Sequence, residues 1–477
     1  MSLHDQLQQL ADTAPRPAID HAVWDRGRAL RRRDRIVTSA VVLAIVVILG
    51  GFVAVVTGPP RAFAPAGDTV PEGAIPSRIY TDVPEDLVEG PDPTDGEVSW
   101  SDEVAEEDLA IGQASAAFAA RAGSLPVVIG AKDGAYHHLD LPGWLGVSRI
   151  TQLGVPSGLA LSPDGTQLAY AWWDATDPED ASMPGGVRVV ELASGEIRTV
   201  TLKGGNGIHV RAISWSPDSR WLAWAGVDTA AELRPGGYST KVGGRIGPGA
   251  SISATVPVGS NVQGAVAVTN SGTLVFAGGE RVTVTAEGTT SKYRVDRDLM
   301  AERVATASPD GSVAIGSFAA SDVAVFLDPE TGVVTPRELA KDLERYPNGA
   351  YVQPLGWPTS DLVLSMVNPA GRDELSSSGN SELIVMTSPS RSEDVWTYRV
   401  VGTVDDESFN DALSLSVAVD LIPDLDGTSS QELTHDFGEP DWPGQRDISW
   451  IIGLGVAAGL SVLYGLRWVW RRRTRLT

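Results

Sequence analysis

The strongest constraint on the fold is a unit that recurs along the middle of the chain. Ser157–Trp173 holds a short apolar strand, the turn Ser162-Pro163-Asp164-Gly165 and a second apolar strand that returns. Arg211–Ala225 repeats it with Ser216-Pro217-Asp218, and Arg303–Gly316 with Ser308-Pro309-Asp310-Gly311. Weaker copies stand at Ala265–Ala277, where Thr269-Asn270-Ser271-Gly272 forms the turn, and at Gln353–Met366, where Trp357-Pro358-Thr359-Ser360-Asp361 does. Proline fixes φ near about −65°, aspartate hydrogen-bonds back into the turn, and glycine accepts a positive φ, so each copy is a tight β-hairpin. A second hairpin follows in two of them, Gly186–Leu192 with Glu196–Leu202, and Val323–Leu327 with Val333–Thr335. Two hairpins make four antiparallel strands, which is one propeller blade.

Units fall near residues 107–143, 150–203, 208–258, 262–296, 302–340 and 349–404. The first lacks the Ser-Pro-Asp-Gly turn but carries an outer hairpin, Leu125–Leu139. The expected fold is therefore all-β, a six-bladed β-propeller over 107–404. A seventh blade forms if the strand near Arg78 and the run Leu413–Leu421 pair to close the ring. The unit resembles the WD40-like repeat of the propeller domain in the translocation protein TolB family and in prolyl oligopeptidases. That resemblance covers about Leu109 to Val404 and implies architecture, not activity.

Two apolar runs bracket this region. Ile36–Thr57 carries no charge, and its 22 residues at helical rise cross a hydrocarbon core of roughly 30 Å. A cleaved leader fits less well, because a long segment precedes the run and Pro65 follows Ala62-Phe63-Ala64. Ile448–Trp470 contains Arg467, yet Trp450 at one end and Tyr464, Trp468 and Trp470 at the other resemble interfacial aromatic belts. Arg28, Arg31, Arg32 and Arg33 before the first run, and Arg471, Arg472 and Arg473 after the second, are the topology-setting charges that place both termini in the cytoplasm. The expected plan is a cytoplasmic tail 1–35, a transmembrane helix 36–57, an acidic Pro/Gly-rich stalk 58–106, the propeller 107–404, a juxtamembrane segment 405–447, a second transmembrane helix 448–470 and a basic cytoplasmic tail 471–477.

Charge agrees with that plan. Residues 58–447 hold 25 of the 37 Lys and Arg but 56 of the 61 Asp and Glu, which leaves the segment at −31 and the ends positive. An exterior of this sign excludes nucleic acid as a partner, because phosphate neutralisation requires clustered Lys and Arg. The chain has no cysteine, so disulfides and thiol chemistry are excluded, and an exported domain of this composition fits the bacterial plasma membrane and envelope.

Chemistry is sparse. No G-x-S-x-G motif is present, so the hydrolase that accompanies such propellers in the oligopeptidases has no nucleophile elbow here. His137-His138 with Asp140 is the one start of a metal site, but adjacent strand residues point to opposite faces. The acidic run Asp420–Glu432 puts Gly427 where a calcium loop needs it, yet Ile422 and Leu433 then occupy the first and last ligand positions. No catalytic, cofactor or metal residue is assigned. Trp172, Trp173, Trp215, Trp221, Trp224 and Trp357 stand at or beside the hairpins, and packing between blades accounts for most of them. Trp172 and Trp173 are the candidates for ligand-facing aromatics, because alternation sends neighbours to opposite faces. The polar excursions Asp174–Gly185 and Asn368–Ser381 are candidates for recognition loops.

The tail 1–35 pairs a short amphipathic helix with an arginine-rich stretch. It resembles the tails of small actinobacterial membrane proteins that accompany extracytoplasmic-function sigma factors. That resemblance implies a cytoplasmic regulator of sigma-factor type as a partner; the alternative is that the helix lies on the inner leaflet. The expected function is a membrane-anchored binding or sensory module with the lipid bilayer and a protein or envelope ligand as partners. The alternatives are a structural envelope scaffold, or a hydrolase or lyase with paired carboxylates in the propeller channel, as in some sugar-processing propellers.

Overall fold

The computed structural model describes residues 69–81, 83, 105–119, 125–144, 158–173, 184–228, 240–258, 265–278, 281–294, 301–317, 323–338, 350–369, 380–392, 397–405, 415–425, 428, 430–440 and 467. The tail 1–35, both apolar runs save Arg467, and the arginines beside them lie outside the described residues. Among the described residues, no helix is long and apolar enough to cross a membrane.

The described chain is a six-bladed β-propeller. From the axis outward, blade 2 comprises Leu159–Leu161, Gln167–Trp173, Pro184–Glu191 and Glu196–Asn206. Blade 3 comprises Ile208–Trp215, Leu222–Asp228, Thr240–Ile246 and Val256–Pro257. Blade 4 is Ala265–Val268, Leu274–Gly278, Arg281–Ala286 and Thr289–Arg294. Blade 5 is Ala301–Ala307, Val313–Ser317, Val323–Leu327 and Val334–Glu338. Blade 6 is Ala350–Thr359, Leu362–Pro369, Ser381–Thr387 and Tyr398–Asp405. These five match the repeat units read from the sequence.

Blade 1 is composite. Its three outer strands, Ala114–Ala119, Pro126–Gly130 and Tyr136–His138, come from the first unit, while its innermost strand, Ser416–Val417, arrives from the far end of the chain. Val417 and Ser416 pair antiparallel with Ala116 and Ala117. Arg78–Tyr80 instead adds in parallel to the outer edge of blade 6, opposite Thr403–Asp405. The two segments expected to pair into a seventh blade thus enter different sheets, and the ring closes at six.

Two of the expected boundaries are revised by this closure. Composition reads 58–106 as stalk, but Ile75 and Ile79 are completely buried and Val83 nearly so. The juxtamembrane segment likewise contributes Leu415, Val417, Val419, Ile422 and Leu433 to the same core as Ile75 and Ile79. Both ends of the described ring therefore clamp the seam between blades 6 and 1. Val70 N–H donates to Lys132 O at 2.6 Å and Ala74 N–H to Ala131 O at 2.8 Å. Phe437 packs on Gly134, whose φ of +66° and lack of a side chain admit the ring.

Each of the six seams buries one apolar cluster. Alternation along the strands supplies it: Phe118, Val127 and Ile129 face blade 6, while Ala117, Val128 and Leu139 face blade 2. Small residues such as Ala160, Ala265, Ala267, Ala305 and Ala350 serve the inner strands, where blades converge. Larger ones such as Phe276, Phe326, Tyr170 and Trp224 fill the seams.

Antiparallel order gives the ring two unlike faces. Turns joining first to second and third to fourth strands lie on one face; connections from second to third strands, and between blades, leave from the other. The strands that flank 174–183, 370–379 and 229–239 end at this second, loop face; those three segments, which include most of the candidate recognition loops Asp174–Gly185 and Asn368–Ser381, lie outside the described residues.

Ile79→Ala tests whether residues 69–83 belong to the ring. Removing a fully buried side chain from a packed seam should lower stability by about 3 kcal/mol in thermal or denaturant unfolding, whereas in a solvated stalk the change would be close to zero.

Candidate functional site

The Ser-Pro-Asp turns lie together on the turn face. In blade 2, Ser162 Oγ donates to Asp164 Oδ1 at 2.6 Å, Thr166 N–H donates to the same oxygen at 3.0 Å, and Gln167 N–H donates to Ser162 Oγ at 2.9 Å. Pro163 sits between, and Gly165 takes φ +71° with Ala114 O where a Cβ would stand. Blade 3 repeats the pattern through Ser216, Pro217 and Asp218, with Ser219 in the glycine position at φ 56°. In blade 5, Ser308 Oγ donates to Asp310 Oδ1, and Pro309 and Gly311 complete the turn.

These turns also bond to one another. Gln113 Nε2 donates to Asp164 O at 2.9 Å, and Asp164 N–H makes a long contact of 3.4 Å to Ser219 Oγ. Asp218 N–H donates to Asn270 Oδ1 at 3.0 Å, and Asn270 Nδ2 reaches Pro309 O at 3.4 Å. The chain of contacts links blades 1 to 5, and Asp420 N–H adds the closing segment by donating to Pro163 O. The motif carboxylates brace their own hairpins, while the backbone groups of Asp164 and Asp218, with the side chains of Gln113, Ser219 and Asn270, join one turn to the next.

The loop face carries the aromatic candidates. Alternation along Gln167–Trp173 turns Tyr170 and Trp172 towards blade 1 and Trp173 towards blade 3. Trp173 is 2% exposed and meets His209 edge-on at 5.4 Å. Only Trp172 keeps part of its ring open, so the pair does not form one aromatic surface. Arg188 lies over the Trp172 ring at 4.4 Å, and its Nη1 and the Tyr170 hydroxyl both donate to Pro142 O. Gly143 and Gly186 give the indole its room: a Cβ at Gly186 would stand 3.1 Å from Trp172 Nε1, and one at Gly143 3.1 Å from Arg188 Nη1. Trp144 meets Tyr170 edge-on at 6.4 Å, and burial raises the Tyr170 hydroxyl to about 12. Arg188 is absent from the motif, but hairpin pairing marks it, since it stands directly opposite Tyr170.

An indole with a stacked guanidinium can hold a planar or anionic group; it supplies no nucleophile and base. The other candidate tryptophans are structural. Trp215 Nε1 donates to Ala160 O at 3.0 Å and Trp357 Nε1 to Thr306 O at 3.2 Å, each tying an inner strand to the preceding blade. Trp224 Nε1 donates to Ser253 Oγ, and Arg245 lies over Trp221.

His137 Nδ1 lies 2.9 Å from Glu106 Oε2, on the outer edge of blade 1 and away from the channel. His138 is buried beside it, and no group of three His, Asp or Glu side chains arranged for a metal occurs among the described residues. Burial, with His137 nearby, lowers His138 to about 4; burial, with Arg211 nearby, does the same to His209.

No family model matches the chain, and no curated protein matches it. Similar solved structures include a mitotic checkpoint complex, at 13% identity and TM-score 0.32, over 52% of this chain and 64% of that one. Cobalt-substituted Synechocystis apocarotenoid oxygenase is similar at 12% identity and TM-score 0.34, over 60% of this chain and 68% of that one. A puromycin hydrolase mutant is similar at 13% and 0.34, over 61% of this chain and 45% of that one. At these values the likeness says nothing of activity.

The two histidines make the ring acid-sensitive. Each stays neutral when folded but takes up a proton near pH 6.5 when unfolded, so its contribution is complete above about pH 6.5 and is lost as pH falls towards about 4. At pH 5 the loss is about 2 kcal/mol for each. The thermal midpoint should fall between pH 7.5 and 5, and His209→Gln should shrink that fall; an unchanged pH dependence in the variant would count against His209.

Proposed function

We infer that the ring is a binding module of a bacterial envelope, of the WD40-like, TolB-type class, held outside the plasma membrane by the spans 36–57 and 448–470 with both termini in the cytoplasm. One observation carries the reading: the turn face is occupied with holding the ring, while the opposite face presents Trp172, the partly open indole of that face among the described residues, with Arg188 over it. A rigid scaffold with long connections gathered on one side is a common arrangement for recognition. The ligand would be a protein or envelope component offering a flat or anionic group to that indole and guanidinium. The tail 1–35 would report occupancy to a cytoplasmic regulator of sigma-factor type.

The enzyme alternative asks for paired carboxylates, or a histidine with a carboxylate, near the axis. The His137–Glu106 pair sits on the outer edge of blade 1 and does not supply that arrangement. Both ends of the described ring meet the turn Ala131–Ala135 of blade 1.

The lack of cysteine makes topology directly measurable. A single cysteine placed at Ile252, which is 66% exposed, should react with a membrane-impermeant maleimide on intact cells. One placed at Ser2 should react only after permeabilisation. Labelling of both, or of Ser2→Cys alone, on intact cells would overturn the membrane placement.

A further inference from the structure

Two residues of blade 3 depart together from the repeat. Trp221 precedes the second strand at the turn face, where blades 2, 4 and 5 carry Gln167, Thr273 and Ser312. Arg245, opposite Ala223, stands where the same blades carry Val189, Val284 and Phe326. Both side chains belong to the face turned towards blade 4, where Trp221 packs on the cluster of Ala223, Val268 and Phe276. An arginine in a row of apolar seam residues is not demanded by the ring. Arg245 lies over the Trp221 ring at 5.2 Å, and its Nη1 donates to Gly272 O in the turn of blade 4. Two glycines leave room for the pair: a Cβ at Gly247 would stand 3.2 Å from Trp221 Cζ3, and one at Gly272 2.9 Å from Arg245 Nη1.

Besides bracing the seam, the pair keeps donors in reserve. The indole N–H groups of Trp215, Trp224 and Trp357 are spent on acceptors within the ring, and those of Trp172 and Trp173 are buried. That of Trp221 is neither bonded nor buried among the described residues, so it opens to solvent beside the guanidinium. Arg220, the neighbouring residue, is exposed, and among the described residues no carboxylate pairs with Arg220 or Arg245. Asp218, the acid of the same turn, uses Oδ1 on Ser216 Oγ and on the Arg220 N–H. The segments that build the site, 216–222, 244–254 and 268–274, are all described. We propose that Trp221 and Arg245 form a binding site for the carboxylate of a small ligand, with the guanidinium and the indole N–H as donors and Arg220 adding positive charge at the rim. A guanidinium offers a planar fork that matches a carboxylate, and an ammonium brought to the same place meets like charge. The local positive charge stands on a chain of net charge −24, so it is not part of a general field. This inference depends neither on the membrane placement nor on the loop-face reading.

The test uses the full chain in detergent micelles, isotopically labelled at its tryptophan nitrogens and followed by NMR. The Trp221 indole resonance is identified by its loss in Trp221→Phe. N-acetylglycine and galacturonate supply the carboxylate from a peptide-like and a sugar source, and N-acetylglycinamide and galactose are their neutral counterparts. A saturable shift of the Trp221 resonance is expected with at least one of the two acids, and the tighter of them identifies the source. The neutral counterpart and the variant Arg245→Gln should each bind roughly tenfold more weakly, the worth of one charge-assisted hydrogen bond. Arg220→Gln, at an exposed position that leaves the thermal midpoint unchanged, should lose about threefold. Arg188→Gln should bind as the parent does. Absence of a saturable shift with both acids, equal binding of the neutral counterparts, or unchanged affinity in both Arg245→Gln and Arg220→Gln would overturn the proposal. Loss of binding in Arg188→Gln with none in Arg220→Gln would move the carboxylate to the loop face and overturn it as well.

Discussion

The pairing of Ser416–Val417 with Ala116–Ala117 is the contact on which the architecture depends. A propeller is a curved stack whose first and last blades must meet, and until they do two apolar sheet faces remain exposed to water. Supplying the innermost strand of blade 1 from the far end of the chain makes closure part of sheet formation. Leu161 N–H donates to Ser416 Oγ at 2.9 Å, so the closing strand is held by blade 2 as well as by blade 1. The seam behind it gathers Ile75, Ile79, Val417, Val419 and Leu433 from both ends of the ring, around Phe118, Met366 and Leu383. This cost in long-range ordering is met at one place, where the loop entropy is largest.

Once the ring is closed, geometry dictates the rest of the packing. Blades diverge from the axis, so the inner strands accept alanine while the seams need rings. The indole donors of Trp215 and Trp357 use that geometry twice, each reaching a carbonyl of the preceding blade's inner strand. Tryptophan is favoured there because it fills the gap and its buried N–H still finds an acceptor.

Much of this was legible in local sequence. Ser162-Pro163-Asp164-Gly165 and its copies announce their hairpins because every residue of the turn has its own physical reason to be there, and the bonds of Asp164 and Asp218 are the ones that chemistry implies. The unit count was legible for the same reason. What failed was everything set by distant partners. Arg78–Tyr80 and Ser416–Val417 are three and two residues long, too short for periodicity to declare a sheet, let alone which one. The stretch around Ile75 and Ile79 reads as stalk because prolines, glycines and acids surround it, although two isoleucines suffice once a seam exists to receive them. At the candidate site the alternation of Trp172 and Trp173 was readable, and hairpin pairing sets Arg188 opposite Tyr170, but its stacking on Trp172 was not readable, since that depends on where Gly143 and Gly186 leave room.

The two faces diverge in what each can tolerate. On the turn face a change in one turn is felt by the next, because Gln113, Asp164, Asp218 and Asn270 are joined in sequence around the ring. Residue type is constrained along the hairpin at Asp164 and Asp218, and around the circumference at Gln113, Ser219 and Asn270, whose side chains make those contacts. At the loop face the strands are already fixed by their ladders and seams. A fold that concentrates its obligations on one side leaves the opposite side free to acquire a ligand, and in this ring that side begins where the strand of Trp172 ends.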